Sequence, residues 1–333
     1  MPAPSPTILA DIGATNARFA LLTDGVLGEA VVYPVADHAS AIEAARLFLA
    51  GRTARSAILA AAGPVVDGRV TMTNAAWSVD AAQFGAAFGL DSCRVINDFA
   101  AQAWALPGFG PADLFALGAA PPPAGGMMDK PAPSGGALAQ PSAGGTMAVM
   151  GPGTGFGLAA LARGPAGDVT LVTEGGHATL AASDRREESI IRVLRDRLGH
   201  VSVERVLSGA GLLDLYHAIG TVDGLVIRER TGPEIVARAL AGDCEASVAT
   251  LEAFCGFLGG VAGNAALTLG ATGGVFIGGG IAPRFTGFLA TSAFREKFEA
   301  KGRLRPYLAA IPTAVVTHKF PAFVGLARLA EAV

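Results

Sequence analysis

The octapeptide DIGATNAR at residues 11–18 lies between two short apolar runs, and this pattern predicts a strand, a tight turn and a second strand. Gly13 can adopt a positive φ and Asn16 tolerates one, so the small residues between them let backbone N–H groups converge on one point. Such a concavity suits a phosphate, and the Asp11 carboxylate could hold Mg²⁺ directly or through water. The segment therefore predicts a nucleotide-binding hairpin, with an ordinary hairpin turn as the alternative.

A second glycine-rich turn, GPGTGFG at residues 151–157, lies between predicted strands at residues 147–150 and 158–162. It repeats the strand-turn-strand pattern of the amino terminus, so the sequence predicts two related lobes. The Walker A motif GxxxxGK[ST] is absent. A GxGxxA match begins at Gly155, but the Gly-Pro pair at residues 164–165 ends that element before the long helix of a dinucleotide fingerprint could form.

The composition also predicts two lobes, because 333 residues with 51% hydrophobic and 16% charged content can bury a large core. The formal net charge is −3 and no block of Lys and Arg occurs, which argues against nucleic acid and membrane partners. The cysteines, Cys93, Cys244 and Cys255, are far apart and lack CxxC spacing, so neither a disulfide framework nor a structural zinc site is indicated. Together with the lack of a signal-peptide pattern, this predicts a cytoplasmic protein.

Two segments have an unusual composition. Residues 253–283 contain no charged residue and are long enough to span a bilayer, yet their repeated glycines predict a buried helix, a turn and a buried strand instead. Residues 118–145 are rich in Pro, Ala, Gly and Ser and have almost no large apolar side chain. This segment is predicted to be a mobile surface loop that is inserted into one lobe.

Hydrophobic periodicity, together with capping and turn residues, predicts the remaining elements. These are a helix at 39–50 ended by Gly51, a strand at 56–62 paired with one at 69–72, a helix at 79–88 after Ser78, a strand at 94–96, helices at 99–106 and from Asp184 onward, and a late strand at 275–277. Apart from that late strand, most of the chain beyond Asp184 is predicted to be helical.

The pair Asn97-Asp98 lies where a predicted strand ends and a predicted helix begins. Because α/β proteins bind ligands beyond the carboxyl ends of their strands, these side chains are candidates for a binding site. The Asp98 carboxylate could accept the proton of an alcohol that attacks a γ-phosphoryl group, while Asn97 orients that alcohol. The alternative is that Asp98 only caps the helix that starts at Phe99.

One further segment could bind hydroxyl groups. Glu174-Gly-Gly-His177 places a carboxylate and an imidazole on either side of a flexible pair. An ionised Glu accepts hydrogen bonds and a neutral His both donates and accepts them, so the pair could bind neighbouring sugar hydroxyls. A solvent-exposed turn is the alternative for this segment. For Glu204 the local sequence favours a stabilising acid in the first turn of a helix.

Taken together, these segments resemble the bacterial glucokinases, of the hexokinase and actin-like ATPase superfamily, over nearly the whole chain. The cysteine-rich zinc motif of the ROK sugar kinases is missing, which favours the non-ROK glucokinase group. The matching segments are ADIGATNARFAL at 10–21, MTNAAW at 72–77, INDF at 96–99, GPGTGFG at 151–157, EGGH at 174–177, GHVSVERVLSGAGL at 199–212 and GGVFIGGGIAPRF at 274–285.

The resemblance implies roles for individual residues. It implies that Asp98 is the base for the 6-hydroxyl of the sugar and that Mg²⁺ is held near Asp11, through water. The ATP-binding residues that it implies are Ala10, Asp11, Ile12, Gly13, Ala14, Thr15, Thr154 and Gly279. The sugar-binding residues that it implies are Asn97, Asp98, Gly155, Glu174, His177 and Glu204.

The resemblance also implies the architecture. It implies an α/β, two-lobed actin-like ATPase fold of the ribonuclease H-like type, with a cleft between a small and a large domain. The small domain would comprise residues 1–107 and 316–333, and the large domain residues 108–315 with the loop insertion at 118–145. Sugar binding would close the two lobes, and the family suggests a homodimer.

The chain departs from the family pattern in three places. Ala14 stands where the family usually has a second glycine, and its methyl group disfavours a positive φ. Pro152 lies within the second glycine-rich turn, and the insertion at 118–145 is longer than usual. If the turn needs a positive φ at Ala14, phosphate contact would be weakened.

The resulting prediction is a glucokinase that phosphorylates D-glucose at its 6-hydroxyl with ATP and Mg²⁺, at the entry to glycolysis. A kinase for mannose, fructose or an N-acetylhexosamine is the nearest alternative, and ADP or polyphosphate stays open as the phosphoryl donor. A non-catalytic sugar-sensing regulator is the alternative from another class. It would need a DNA-binding extension, for which the few residues before the first hairpin leave no room.

Overall fold

The computed structural model describes residues 6–72, 77–118 and 145–332. The interior of the predicted insertion at 118–145 therefore lies outside the described residues. The same holds for the four residues between the Met and the Trp of the MTNAAW segment.

The chain divides into two compact units. Unit 1 comprises Met1–Phe109 and Lys319–Val333, and unit 2 comprises Gly110–His318. Unit 1 contains eight described strands and four helices that are longer than a 3-10 turn. The strands are β1 Thr7–Ile12, β2 Asn16–Thr23, β3 Val26–Leu27, β4 Val31–Pro34, β5 Ser56–Ala61, β6 Arg69–Thr71, β7 Ser78–Asp80 and β8 Ser92–Asn97. The helices are α1 Ala41–Leu49, α2 Ala81–Phe88, α3 Asp98–Ala105 and, from the carboxyl terminus, α11 Pro321–Glu331.

The main sheet of unit 1 has the strand order β3-β2-β1-β5-β8, and β4 also pairs with β2. β1 is antiparallel to β2 and parallel to β5, which is parallel to β8. Successive side chains of β1 pack on opposite faces of this sheet. Leu9 belongs to the cluster that contains Phe323 of α11, whereas Ile8 belongs to the cluster that contains Phe48 of α1. The central strand is thus covered on both faces, as expected for an uninterrupted apolar run.

Unit 2 contains a second six-stranded sheet, with the order β12-β11-β10-β13-β14-β9. β10 is antiparallel to β11 and parallel to β13, so the arrangement around β10 repeats the one around β1. The strands are β9 Leu114–Ala116, β10 Met147–Pro152, β11 Phe156–Gly164, β12 Gly167–Thr173, β13 Gly274–Ile277 and β14 Thr313–Val316. The helices are α4 Arg185–Leu198, α5 Gly209–Asp223, α6 Gly232–Ala241, α7 Glu245–Leu269, α8 Thr286–Thr291, α9 Phe294–Glu299 and α10 Arg305–Ala309.

Helix α7 is the long central helix of unit 2. By length and hydropathy this helix could cross a membrane, but 72% of its apolar 18-residue stretch is buried inside the protein. Gly270 ends the helix in the left-handed conformation, with φ +60°. The buried strand β13 follows, so the predicted helix, turn and strand within residues 253–283 are confirmed.

Two predictions for unit 1 are wrong. β6 pairs with β7 rather than with β5, and the Arg69 guanidinium donates to the Asp80 carboxylate at 2.6 and 2.8 Å across that pair. Asp80, not Ser78, is the N-cap of α2 and accepts the backbone N–H of Gln83 at 2.9 Å. Asp80 forms both the ion pair and the helix cap. Residues 78–80 are therefore a strand, and the helix begins at Ala81 rather than at Val79.

The carboxyl end of α1 and the region after Asp184 also differ from prediction. Ala50, rather than Gly51, is the C-cap of α1, with φ +46°. Besides β13, the chain beyond Asp184 contains a second strand, β14. All four residues of β14 are buried between β13 and β9, and an apolar run this short has no periodicity that separates strand from helix.

Candidate active site

The turn between β1 and β2 is closed by a hydrogen bond from Gly13 N–H to Asn16 O at 3.0 Å. None of residues 13–16 has a positive φ, so the turn does not use the left-handed conformation that Gly13 and Asn16 permit. The Ala14 methyl group is consequently accommodated without backbone strain, despite its departure from the family pattern. Val35 N–H donates to Thr15 O at 2.9 Å and ties the tip of the turn to the end of β4.

Asp11 forms an ion pair that the sequence analysis did not identify. Arg18 lies directly opposite Asp11 in the β1–β2 register, and its Nη1 donates to Asp11 Oδ2 at 3.0 Å. Burial raises the pKa of the Asp11 carboxyl, and the charge and hydrogen bond of Arg18 offset part of that rise. The signal was available in the sequence, because Asp11 and Arg18 are equally distant from the centre of the turn.

The residues around Asp11 fit a magnesium ion that is held mainly by water and phosphate. One Asp11 oxygen accepts from Arg18, and the described residues contain no group of three or more His, Cys, Asp or Glu that could hold a metal. Mg²⁺ in nucleotide sites keeps several waters and takes only one or two protein carboxylates, so a single carboxylate is a sufficient protein contribution.

The second glycine-rich turn joins β10 to β11 and packs backbone to backbone on the residues after β13. A Cβ atom on Gly151 would lie 2.3 Å from the carbonyl of Gly278, and one on Gly279, whose φ is +78°, would lie 2.3 Å from Pro152 O. The Pro152 carbonyl also accepts the N–H of Ile281 at 3.3 Å. Larger residues at Gly151 or Gly279 would separate the two turns. Thr154 is exposed at the tip of the turn between β10 and β11.

Glu204 lies against this second turn. Its Oε2 accepts the backbone N–H of Phe156 at 2.8 Å, and a Cβ on Gly155 would meet that same oxygen at 2.4 Å. Glu204 N–H in turn donates to Gly176 O at 2.9 Å. The alternative of a first-turn helix acid is wrong, because Glu204 lies in a turn and α5 begins only at Gly209.

The Glu174–His177 segment forms a 3-10 turn that lies on β11. The two side chains are 59% and 65% exposed, and Glu174 Oε2 is 3.9 Å from His177 Nε2. A Cβ on Gly176 would lie 2.3 Å from Phe156 O, so the turn can lie this close only with glycine there. Thr173 Oγ1 anchors the turn, since it donates to Leu158 O at 2.8 Å and accepts the N–H of Gly175 at 3.2 Å.

Asn97 ends β8 and is the N-cap of α3. Its Oδ1 accepts the N–H groups of Phe99 and Ala100 at 2.9 and 3.1 Å, and its Nδ2 donates to Gly63 O at 3.1 Å. The alternative in which Asp98 caps this helix is therefore wrong, because Asp98 is the first helical residue. The Asn97 amide has a second N–H donor, which these contacts do not use.

Strand register brings the predicted residues of unit 1 to one edge of its sheet. Ile12 pairs with Ala61 of β5, and Ala61 pairs with Asn97 of β8. The β1–β2 turn and the Asn97-Asp98 pair thus lie at the same edge, two strand spacings or about 10 Å apart. In unit 2, the ends of β10 and β13 meet in the same way, and Gly155, Glu174, His177 and Glu204 lie beside them on the turns just described.

Comparisons with known proteins show the family of the chain. Residues 8–333 match the family model described as glucokinase. The glucokinase of Paramagnetospirillum magneticum is 44% identical over 97% of this chain and 96% of its own length, and that of Caulobacter vibrioides is 41% identical over 96% and 93%.

Solved structures agree with these relatives. The crystal structure of a glucokinase from an Antarctic psychrotroph superposes with a TM-score of 0.84, at 37% identity and over 99% of both chains. The fold is also shared with a ROK family glucokinase from Streptomyces griseus in complex with glucose and AMPPNP, with a TM-score of 0.62 at 19% identity, over 99% of this chain and 100% of that one.

Proposed function

The chain belongs to the glucokinase family and is a hexose kinase, and we propose that Asp98 is the base for the 6-hydroxyl of glucose. The hydroxyl oxygen bonds to the γ-phosphorus of ATP, the bond from that phosphorus to the β–γ bridging oxygen breaks, and ADP leaves. Asp98 accepts the hydroxyl proton. The observation that carries this assignment is the shared sheet edge, where Asp98 lies two strand spacings from the β1–β2 turn and Asn97 serves as the helix cap.

The ATP phosphates are assigned to the two glycine-rich turns. Backbone N–H groups of residues 10–15 and the exposed Thr154 would contact them, and the Gly279 backbone would lie against the adenosine. Asp11 would hold Mg²⁺ through water. The bound ion would neutralise the charge that develops on the transferring phosphoryl group.

The sugar hydroxyls are assigned to the exposed turns of unit 2 and to Asn97. Glu174 and His177 are largely exposed and can together accept and donate, which suits adjacent hydroxyls. Glu204 is oriented by the Phe156 N–H, and the Gly155 backbone lies against it. Asn97 can contribute only its second N–H, because its other polar atoms are used by α3 and Gly63.

The test is ADP release by the purified protein with ATP and Mg²⁺, with and without glucose. Wild type should release ADP only with glucose, whereas Asp98→Asn should retain glucose-induced thermal stabilisation and lose about 10²- to 10⁴-fold in kcat. Asp91→Asn is the matched control, because Asp91 forms an ion pair with Arg55 in which both side chains are 67% exposed. Near-normal turnover by Asp98→Asn would remove Asp98 from this role.

A substrate panel separates the remaining alternatives. With mannose, fructose and N-acetylhexosamines compared at equal concentration, glucose should give the highest kcat/KM. A higher value for another hexose would reassign the substrate while keeping the reaction. Replacing ATP with ADP or polyphosphate tests the phosphoryl donor in the same assay.

Several finer features remain predictions from the family resemblance. They are the non-ROK group, the actin-like fold with a cleft and its closure on the sugar, and the homodimer. The cytoplasmic location is a prediction from the cysteine pattern and the lack of a signal-peptide pattern.

A further inference from the structure

The three cysteines lie in different environments. Burial raises the pKa of the Cys93 thiol to about 11 and that of the Cys255 thiol to about 12, so both stay protonated at neutral pH. Cys244 is partly exposed and lies at the N-cap position of α7. The amino end of this 25-residue helix carries the positive end of the helix dipole, which favours a negative sulfur.

A cation lies beside the Cys244 sulfur. Arg230 Nη2 is 3.8 Å from Cys244 Sγ, and Arg230 Nε is 3.3 Å from the hydroxyl oxygen of Tyr216. Tyr216 is one of the largest fully buried side chains of the protein. The guanidinium is therefore held next to the sulfur by a hydrogen bond to a buried side chain.

A buried hydroxyl lies three residues after Cys244. Ser247 is fully buried, and its Oγ has no hydrogen-bond partner among the described residues. A buried hydroxyl without a partner is costly. The Ser247 side chain is the largest cause of a lowered pKa at Cys244, followed by helix N–H groups and Arg230.

The acidic groups next to Cys244 do not cancel this effect. Asp243 is paired with Arg238, whose Nη1 lies 2.5 Å from Asp243 Oδ2. Glu245 is exposed in the first turn of α7, where its charge is screened by water. Arg230 therefore remains the charge in direct contact with the sulfur.

From these contacts we propose that Cys244 is a modification site that undergoes thiol–disulfide exchange with small anionic disulfides. The Cys244 thiolate attacks one sulfur of the disulfide, the disulfide bond breaks, and a mixed disulfide forms on Cys244. The released thiolate takes up a proton at neutral pH, and no external oxidant or reductant is needed. Arg230 attracts the anionic disulfide and Ser247 donates to the attacking sulfur.

The test uses the intact protein and 5,5′-dithiobis(2-nitrobenzoate), with thionitrobenzoate release followed by absorbance at pH 6.5. One thiol should react at least about tenfold faster than the thiols of the denatured protein, because a larger fraction of it is ionised. Cys244→Ser should remove this fast phase, whereas Cys93→Ser is the control that leaves it intact. Arg230→Met and Ser247→Ala should each slow it several-fold, and Arg230→Lys should restore part of the rate.

A second measurement needs no substitution. Wild-type protein treated with glutathione disulfide is digested, and the mixed disulfide is located by mass spectrometry. An adduct on the peptide that contains Cys244 supports the proposal. An adduct confined to Cys93 or Cys255, or a Cys244 thiol that reacts no faster than in the denatured chain, would overturn it.

Discussion

At the scale of single residues, neighbouring positions at the end of β8 have different tasks. Asn97 caps α3 with its carbonyl oxygen and binds Gly63 O with its amide nitrogen, so most of its polar capacity serves the fold. Asp98 begins the helix without being its cap. A carboxylate in the first turn of a helix is stabilised as an anion by the N–H groups and dipole of that turn. The end of β8 can therefore supply both the N-cap of α3 and the proposed base.

The Asp11–Arg18 pair gives a prediction at the same scale. Arg18→Met should destabilise the fold by about 1–3 kcal/mol, since it leaves a carboxylate that is only 20% exposed without its partner. Arg55→Met removes the mostly exposed pair with Asp91 and should cost no more than about 0.5 kcal/mol. Urea denaturation measures both values. Equal losses in the two variants would show that the buried position of Asp11 has no effect.

Thr173 is a positioning residue for the proposed sugar site. Thr173→Val keeps the branched side chain but loses both hydrogen bonds that hold the Glu174–His177 turn. We expect KM for glucose to rise about 5- to 30-fold, equivalent to about 1–2 kcal/mol, with KM for ATP unchanged. Thr173→Ser restores the hydroxyl and should recover most of the affinity. If KM for glucose and KM for ATP rise together in Thr173→Val, the effect is on general stability instead.

At the scale of elements, α7 illustrates how glycine can serve packing inside a helix. A Cβ on Gly259 would lie 2.1 Å from the backbone oxygen of Phe294, at the start of α9. A Cβ on the adjacent Gly260 would have no atom within 4 Å. There is therefore no room for a side chain at Gly259, whereas there is open space for one at the next residue of the same helix.

This contrast predicts opposite effects of the same substitution. Gly260→Ala should stabilise the protein by about 0.5–1 kcal/mol, because alanine restricts the unfolded chain and favours helix. Gly259→Ala should destabilise it by about 1–3 kcal/mol, because α7 and α9 must separate. Thermal or urea denaturation of the two variants tests the pair. A stabilising Gly259→Ala would mean that α9 moves away from α7 at no cost.

At the scale of the whole molecule, the two sheets repeat one arrangement. Each has an antiparallel hairpin whose first strand continues into parallel pairing, β1 with β5 and β10 with β13. Each therefore places a glycine-containing turn at the carboxyl edge of parallel strands, where backbone N–H groups can face a ligand. The repetition explains how one chain supplies two turns of the same kind, to which the phosphates are assigned in the proposed function.

The pH dependence of global stability gives the prediction at this scale. Lys297 of α9 forms an ion pair with Asp184, the N-cap of α4, and holds the pKa of that carboxyl below its usual value. A lowered folded pKa contributes stability that is fully present above the unfolded pKa of about 3.9 and is lost as the pH falls through the folded value. Asp184→Asn keeps the cap and removes this contribution.

The free energy of unfolding of wild type and Asp184→Asn should therefore differ between pH 5 and 8 and converge as the pH falls below about 4. Urea denaturation at several pH values measures the difference. Asp91→Asn, at an exposed pair, should show little difference from wild type throughout. A gap between wild type and Asp184→Asn that is unchanged at pH 3.5 would contradict the role of the Asp184 charge.

The sequence by itself determined the local features of this protein. Both glycine-rich hairpins, the α7-turn-β13 segment and the N-cap of α4 at Asp184 follow from turn chemistry and hydrophobic period, which act within a few residues. The proposed site residues were also named from the sequence, and their roles stay predictions.

Only the tertiary structure decided which partners these local features select. Glu204 accepts from Phe156, 48 residues away, and Asn97 donates to Gly63, 34 residues away. The first contact holds Glu204 in a turn rather than in a helix. The second orients the Asn97 side chain at the position where it caps α3. The buried strand β14 likewise depends on β13 and β9, which are distant in the chain. Local periodicity carries no information about such partners, because packing between separate elements determines them.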